Sequence, residues 1–301
     1  MTTTALEPAA AARRRRAWMA VRDLVSLTKP KVTTLLLAFG LVAAVVADPE
    51  VGAARLAAFA LLGYLAAGGA AALNHVFDRD LDARMDRTRA RPVASGRVGV
   101  PEAVAFATLL LVGAIGGAAL ALGVAVAAWM AVGAATYAGL YTLVLKRRTR
   151  HNIVIGGLAG SCGVLAGWSV ADPGLAPGAW LLALLVFLWT PPHFWGLAIA
   201  RDRDYRAAGV PMLPQMLGLA PTARAMLGYA VAMLAVSLWL APVAGFGAVY
   251  LAGAVAAGAG FVALCVAMWW RPTVRRALWT FKLSGVYLAL LLLAMVADLA
   301  R

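Results

Sequence analysis

Apolar residues run through this chain in long stretches, broken by short clusters of charge and by Gly, Pro and Asp. A membrane-crossing helix needs about 20 mostly apolar residues. Nine stretches approach or reach that length: 32–47, 53–74, 101–121, 124–145, 152–171, 178–199, 222–242, 246–270 and 281–299. The strict in/out alternation of a membrane barrel is missing from the sequence. No stretch has the basic leader, short core and small-residue cleavage site of a removable signal. The pattern predicts an all-α, polytopic membrane protein with nine transmembrane helices.

Composition supports the same class. The chain has 301 residues, 63% hydrophobic and only 13% charged, yet carries a formal charge of +14. A soluble domain has about 25% charged residues, and a soluble chain this apolar could not cover its own surface. A nucleic-acid binder would set its basic residues on a polar surface, so no nucleic-acid partner is expected. Sorted by loop, 25 of the 27 Lys and Arg fall on one side, in the N-terminal segment, 75–100, 146–151, 200–221, 271–280 and the adjoining helix ends. The other side keeps Arg55 and Arg301. The positive-inside rule then assigns the basic side, with the N-terminus, to the cytoplasm and the C-terminus to the outside. The two long loops are on the basic side, so function is expected to face the cytoplasm. The compact Arg13–Arg16 run, without a long amphipathic presequence, points to a bacterial cytoplasmic (inner) membrane.

Residues 1–21 (Thr, Ala and Pro followed by four arginines) are expected to form a disordered basic arm on anionic lipid, and 22–301 a single domain. Asp78-Arg79-Asp80 after the second span is echoed by Asp202-Arg203-Asp204 after the sixth. The echo suggests two pseudo-repeated four-helix halves with a ninth helix appended. Cys162 and Cys265 have neither redox nor zinc spacing and read as packing residues.

Two clusters carry chemistry. On a continuous helix, Asn74, Asp78 and Asp82 share one face at i, i+4 and i+8; Asp86 continues that face and Asp80 points elsewhere. Carboxylates with an amide form an oxygen-donor set for a hard cation, and Mg²⁺ is the usual choice when a phosphate shares its shell. The surrounding arginines suit a polyanion. The second cluster is Trp189-Thr190-Pro191-Pro192-His193-Phe194-Trp195, running on to Asp202-Arg203-Asp204-Tyr205. The Pro pair is expected to break or kink its helix, and a titratable His near that break is a site candidate. A solvated, salt-bridged helix end would also explain the first cluster. A His bonded to a freed carbonyl would also explain the second. Spacing alone leaves these readings open. Taken together, acidic clusters at one membrane face, ringed by basic loops, suit a metal-bridged isoprenyl diphosphate, whose charged head sits in the interface and whose tail lies within the bundle.

The residues resemble the UbiA-type intramembrane prenyltransferases, and within them the haem-farnesylating branch, the haem O synthases (protoheme IX farnesyltransferases). The resemblance rests on Thr28-Lys29-Pro30-Lys31, on Asn74 through Asp82 with Met85, Arg87-Thr88 and Arg91-Pro92, and on Tyr141-Thr142 with Leu145-Lys146-Arg147. It continues through Asn152–Gly157, the Thr190–Trp195 stretch, and Asp204-Tyr205 with Ala208–Pro214. It implies transfer of the farnesyl group of farnesyl diphosphate to a vinyl group of haem b, with addition of water, to make haem O for terminal oxidases. Asn74, Asp78, Asp82 and Asp204 would hold Mg²⁺, with haem b a substrate rather than a resident cofactor. Lys29, Arg87, Arg91 and Lys146, with Asn74, would bind the diphosphate. His193 stands where quinone-type relatives carry an acidic residue, which points to a haem-related role at the porphyrin propionates or the iron. Membrane lipid surrounds such a protein, and a haem A synthase or terminal oxidase is the implied partner. Asp202 and Asp204, two apart, would not share a helix face, so Asp204 alone is expected to participate. Ser161-Cys162-Gly163-Val164 stands where the family often has Pro-Pro, a change expected to alter a cavity wall and leave the metal site intact. The alternatives are a quinone-type aromatic prenyltransferase and a haem or lipid carrier without catalysis.

Overall fold

In the computed structural model, which describes residues 6–301, all regular structure is helical. Helix α1 spans Leu6–Leu27, α2 Pro30–Ala47, α3 Ala53–Phe77, α4 Arg79–Arg84 and α5 Val100–Ala121. Helix α6, Val124–Ala134, runs on into a π-helical stretch, Ala135–Leu145. Next come α7 Asn152–Gly156, α8 Leu158–Trp168, α9 Pro177–Ala200, α10 Asp202–Ala207 and α11 Leu213–Leu217. Helices α12 Leu219–Ala244, α13 Ala248–Trp270 and α14 Val274–Leu299 complete the chain.

Among the described residues, eight helices are long and apolar enough to cross a membrane. The remaining expected span, 152–171, is divided: α7 and α8 meet at Gly157, and α8 ends at Trp168. The expected disordered arm also differs. Residues 1–5 lie outside the described residues, but from Leu6 the segment is helical. Its Ala and Arg residues are strong helix formers, and local propensity outweighs charge repulsion among the arginines. The Pro191-Pro192 pair does not break α9, which continues from Pro177 to Ala200. The two prolines forgo backbone bonds to the carbonyls of Phe187 and Leu188, while packing from neighbouring helices holds the helix together. Helix α9 is the most enclosed of the long helices, with 67% of its apolar window buried against 22% for α5.

Small residues bring the helices close. A Cβ on Gly167 of α8 would collide with the Gly40 backbone of α2. One on Gly69 of α3 would lie 2.9 Å from the Ala107 carbonyl of α5. In lipid such contacts hold helices together by packing rather than by the hydrophobic effect. Outward-facing Leu109, Val112, Leu120 and Val124 remain exposed, as residues against acyl chains do. A core of Phe39, Trp168, Leu185, Met233, Tyr250 and Leu288 joins α2, α8, α9, α12, α13 and α14.

The acidic echo has a structural counterpart. Each long helix, α3 and α9, is followed after one residue by a six-residue helix, α4 and α10. Leu81 and Met85 from the first loop pack in one cluster with Tyr205, Val210 and Met212 from the second. The two acidic segments therefore meet at one end of the bundle.

Candidate functional site

The site grows from the junction of α3 and α4. Helix α3 ends at Phe77, yet Asp78 N–H donates to the Asn74 carbonyl at 2.9 Å and Asp82 N–H to the Asp78 carbonyl at 2.7 Å. These i→i−4 bonds carry the helical register across the junction and keep Asn74, Asp78 and Asp82 in line. All three are buried. Helix α4 stops at Arg84 and Met85 is extended, so Asp86 leaves that face. Its side chain is exposed beside Arg89, and its backbone N–H donates to Asp204 Oδ1 at 3.3 Å. Asp204 is thereby brought to the first cluster from α10. Asp202 instead pairs with Arg206 at 2.8 Å and accepts from Gln215 at 2.9 Å.

Cations surround the ladder. Lys29 donates to Asn74 Oδ1, and to the Tyr137 hydroxyl at 3.0 Å. Lys146 forms an ion pair with Asp78 Oδ2. Arg91 Nη1 reaches both Asp82 oxygens, at 2.9 and 2.8 Å. Arg87 is exposed, and its charge bears on the buried phenol of Tyr205, which burial raises above its ordinary pKa. Asp80 points away, as its position off the ladder requires. Arg147 grips it at 2.7 and 2.6 Å and holds its carboxyl down at about 2.

Several of the contacts that build the site carry no sequence signal. Lys29 adopts a left-handed conformation, φ 50°, between α1 and α2. That conformation is costly for a residue with a side chain, and here it accompanies the contacts to Asn74 and Tyr137. The π-helical stretch supplies Thr142, whose hydroxyl accepts from Asn74 Nδ2 at 3.0 Å and donates to the Tyr137 carbonyl at 2.8 Å. It also stacks Tyr137 on Tyr141 at 5.9 Å, 9° between planes. Such windings recur at functional sites. His75, on α3, is buried with no hydrogen bond to either ring nitrogen.

The donor set fits a hard divalent cation. One oxygen of Asp78 is bound by Lys146 and Asn74, whereas Oδ1 is buried without any partner, an uncommitted acceptor in the middle of the ladder. Among the described residues no three His, Cys, Asp or Glu side chains converge on one point. A cation held by Asn74, Asp78, Asp82 and Asp204 would therefore complete its shell with anionic oxygens from a ligand, as Mg²⁺ does with phosphates.

His193 lies elsewhere on the wall, on α9. Its Nδ1 is 2.7 Å from the Ser284 hydroxyl, and Trp189, Phe194 and Phe281 pack around its ring at 4.3, 5.3 and 4.6 Å between centroids. At the opposite end of the bundle, Leu41, Val45, Leu56 and Val296 line an apolar groove with no titratable side chain.

Known proteins share this fold. The chain is 42% identical over 280 residues to a protoheme IX farnesyltransferase of Marinobacter nauticus, covering 92% of each chain. In fold it resembles a digeranylgeranylglyceryl phosphate synthase, TM-score 0.78 and 17% identity, covering 93% of this chain and 98% of that one. It also resembles a UbiA homologue from Archaeoglobus fulgidus bound to GPP and Mg²⁺, TM-score 0.67 and 14% identity, covering 93% of this chain and 100% of that one. Residues 35–294 match the UbiA prenyltransferase family, and with 42% identity to one curated relative over nearly its whole length the chain belongs to that family.

Proposed function

We propose that this multi-pass membrane protein transfers the farnesyl group of farnesyl diphosphate to a vinyl group of haem b, with addition of water, to make haem O. The observation that carries the reading is the buried, oxygen-only ladder of Asn74, Asp78 and Asp82 set among Lys29, Arg91 and Lys146. Haem as the acceptor is supported by the name of the 42%-identical relative.

In this reading Asn74, Asp78, Asp82 and Asp204 hold Mg²⁺. When bound, Mg²⁺ draws electron density from the departing diphosphate. Lys29, Arg87, Arg91 and Lys146 bind phosphate oxygens and stabilise the charge that develops as the allylic C–O bond opens. In the protein alone Arg91 and Lys146 lie on the carboxylates of Asp82 and Asp78, and Lys29 on the Asn74 amide oxygen. Bound diphosphate adds an anionic partner to each, so neither set of charges is left buried unpaired. Tyr137 and Tyr141 present aromatic faces next to Lys29 and Lys146, at 5.6 and 6.0 Å, and such faces stabilise an allylic cation. Burial of the ladder excludes water until carbon–carbon bond formation is complete. His193 stands at the acceptor end. The asymmetry of basic residues favours a bacterial inner membrane, with the N-terminus and the site on the cytoplasmic side and the C-terminus outside. Haem O leaves for a haem A synthase or a terminal oxidase.

The test supplies membranes carrying the chain with haem b, farnesyl diphosphate and Mg²⁺ and weighs the extracted haem. The expected product is heavier by one farnesyl group and one hydroxyl. Unchanged haem from correctly inserted protein would overturn the reading, and diphosphate release on an aromatic acceptor instead would assign the chain to quinone-type chemistry.

A further inference from the structure

Ser284 of α14 is fully buried, and two groups of the Pro-Pro-His segment converge on it. Its carbonyl accepts a hydrogen bond from Trp189 Nε1 at 2.8 Å. Its hydroxyl lies 2.7 Å from His193 Nδ1 and 2.8 Å from the Phe281 carbonyl. A hydroxyl has one proton and two lone pairs. A carbonyl has no proton to give, so the Ser284 proton goes to Phe281. The short contact with His193 is then closed by a proton on Nδ1. A neutral imidazole with its proton on Nδ1 keeps a lone pair on Nε2. That atom makes no hydrogen bond to any described residue and is not sealed from solvent. Trp189, Phe194 and Phe281 around it offer no competing base.

The position of His193 suits the acceptor end of the reaction. It lies seven residues before the end of α9, whereas Asn74 lies three before the end of α3. At 1.5 Å per residue, His193 is about 6 Å deeper in its half of the bundle than the ladder is in the other.

We propose that Ser284 is a positioning residue that fixes the His193 tautomer, and that His193 Nε2 takes the proton from the water that completes haem farnesylation. This rests on the function proposed above. The allylic C–O bond breaks with its electron pair on the diphosphate. The vinyl π pair forms the new carbon–carbon bond and leaves a cation on the carbon attached to the porphyrin. A water lone pair forms the C–O bond, and the proton this water loses goes to Nε2 and from there to solvent. Without a base for the water, the cation loses a neighbouring C–H proton instead and gives an alkene.

The experiment uses the full chain in membranes with haem b, farnesyl diphosphate and Mg²⁺, and follows diphosphate release and the masses of the haem products in ¹⁸O-labelled water. From His193→Ala and Ser284→Ala, diphosphate is still released, more slowly. The ratio of hydroxylated product to product lighter by one water falls by at least about a hundredfold, the low end of what a general base contributes. Added imidazole raises the hydroxylated share for His193→Ala and not for Ser284→Ala. Either of two results overturns the proposal: an unchanged product ratio in His193→Ala, or loss of diphosphate release in step with product in both variants. A wild-type protein that adds no mass to haem overturns the function itself instead, so the two failures are distinguishable.

Discussion

Lys146, just past the π-helical stretch, is ion-paired with the fully buried carboxylate of Asp78, 68 residues away in the chain. Each ion loses several kcal/mol of hydration on burial, and their attraction offsets this only while both are present. Lys146→Met therefore leaves a buried anion exposed to that cost, and unfolding in detergent should show a loss of about 3–5 kcal/mol. Asp78→Asn combined with Lys146→Met removes both charges and should recover most of the loss. Additive effects of the two substitutions would refute this account of the pair.

Arg91 faces both oxygens of Asp82 through one guanidinium nitrogen, which leaves its other donors available to a phosphate. Lysine keeps the charge and loses the planar fork. Arg91→Lys should raise the KM for farnesyl diphosphate by about tenfold, the cost of one charge-assisted bond, with a smaller change in kcat. A fall in kcat at constant KM would place the Arg91 contribution in the transition state alone.

How much of this site can be read in the sequence depends on the range of each interaction. The spans and the Asn74, Asp78, Asp82 spacing are legible because helical periodicity is local and continues through the α3–α4 junction. Asp86 departs from that spacing because α4 ends one turn early. The Pro191-Pro192 pair reads as a break, yet tertiary packing carries α9 through it. The division at Gly157 and the π-winding of 135–145 fall inside apolar stretches that read as continuous spans. Lys29 reaches Asn74 from a left-handed turn, and Ser284 meets His193 from 91 residues away. The Thr28–Lys31 motif marks Lys29, but neither contact has a local pattern that a single sequence displays.

The unpartnered Asp78 Oδ1 predicts that cation and diphosphate bind together. Pyrophosphate with Mg²⁺ should raise the thermal midpoint of the purified protein, by an amount equivalent to about 2.7 kcal/mol at a hundredfold excess over Kd. Either component alone should do far less, since the carboxylates are already neutralised by Lys146 and Arg91. Asp78→Asn should abolish the joint shift. An equal shift from pyrophosphate alone would mean that the basic residues bind the anion without a metal.

Packing of α8 on α2 leaves no room for a side chain at Gly167, where a Cβ would collide with the Gly40 backbone. Gly167→Ala should destabilise the protein by about 1–3 kcal/mol, the usual cost of overpacking. Gly113→Ala, where a Cβ meets open space, should be nearly neutral. The pair can be compared by thermal unfolding in one detergent.

Arg147 and Asp80 form a half-exposed pair at the mouth of the site, and the hydrogen bond from Arg147 holds the Asp80 carboxyl at about 2 rather than 3.8. A carboxyl depressed in the folded state contributes stability above its unfolded pKa and loses it as pH falls through the folded one. The contribution is therefore constant from neutral pH to just above pH 4, shrinks below that, and is gone near pH 2. Both side chains are over a third exposed, so its size is at most about 1 kcal/mol and declines with salt. Arg147 also donates to the Phe77 carbonyl at 2.8 Å, a bond that Asp80→Asn leaves in place. Thermal midpoints of wild type and Asp80→Asn should differ slightly at pH 7 and converge as pH approaches 2. A difference that grows on acidification would require Asp80 to be raised rather than lowered, contrary to its contact with Arg147.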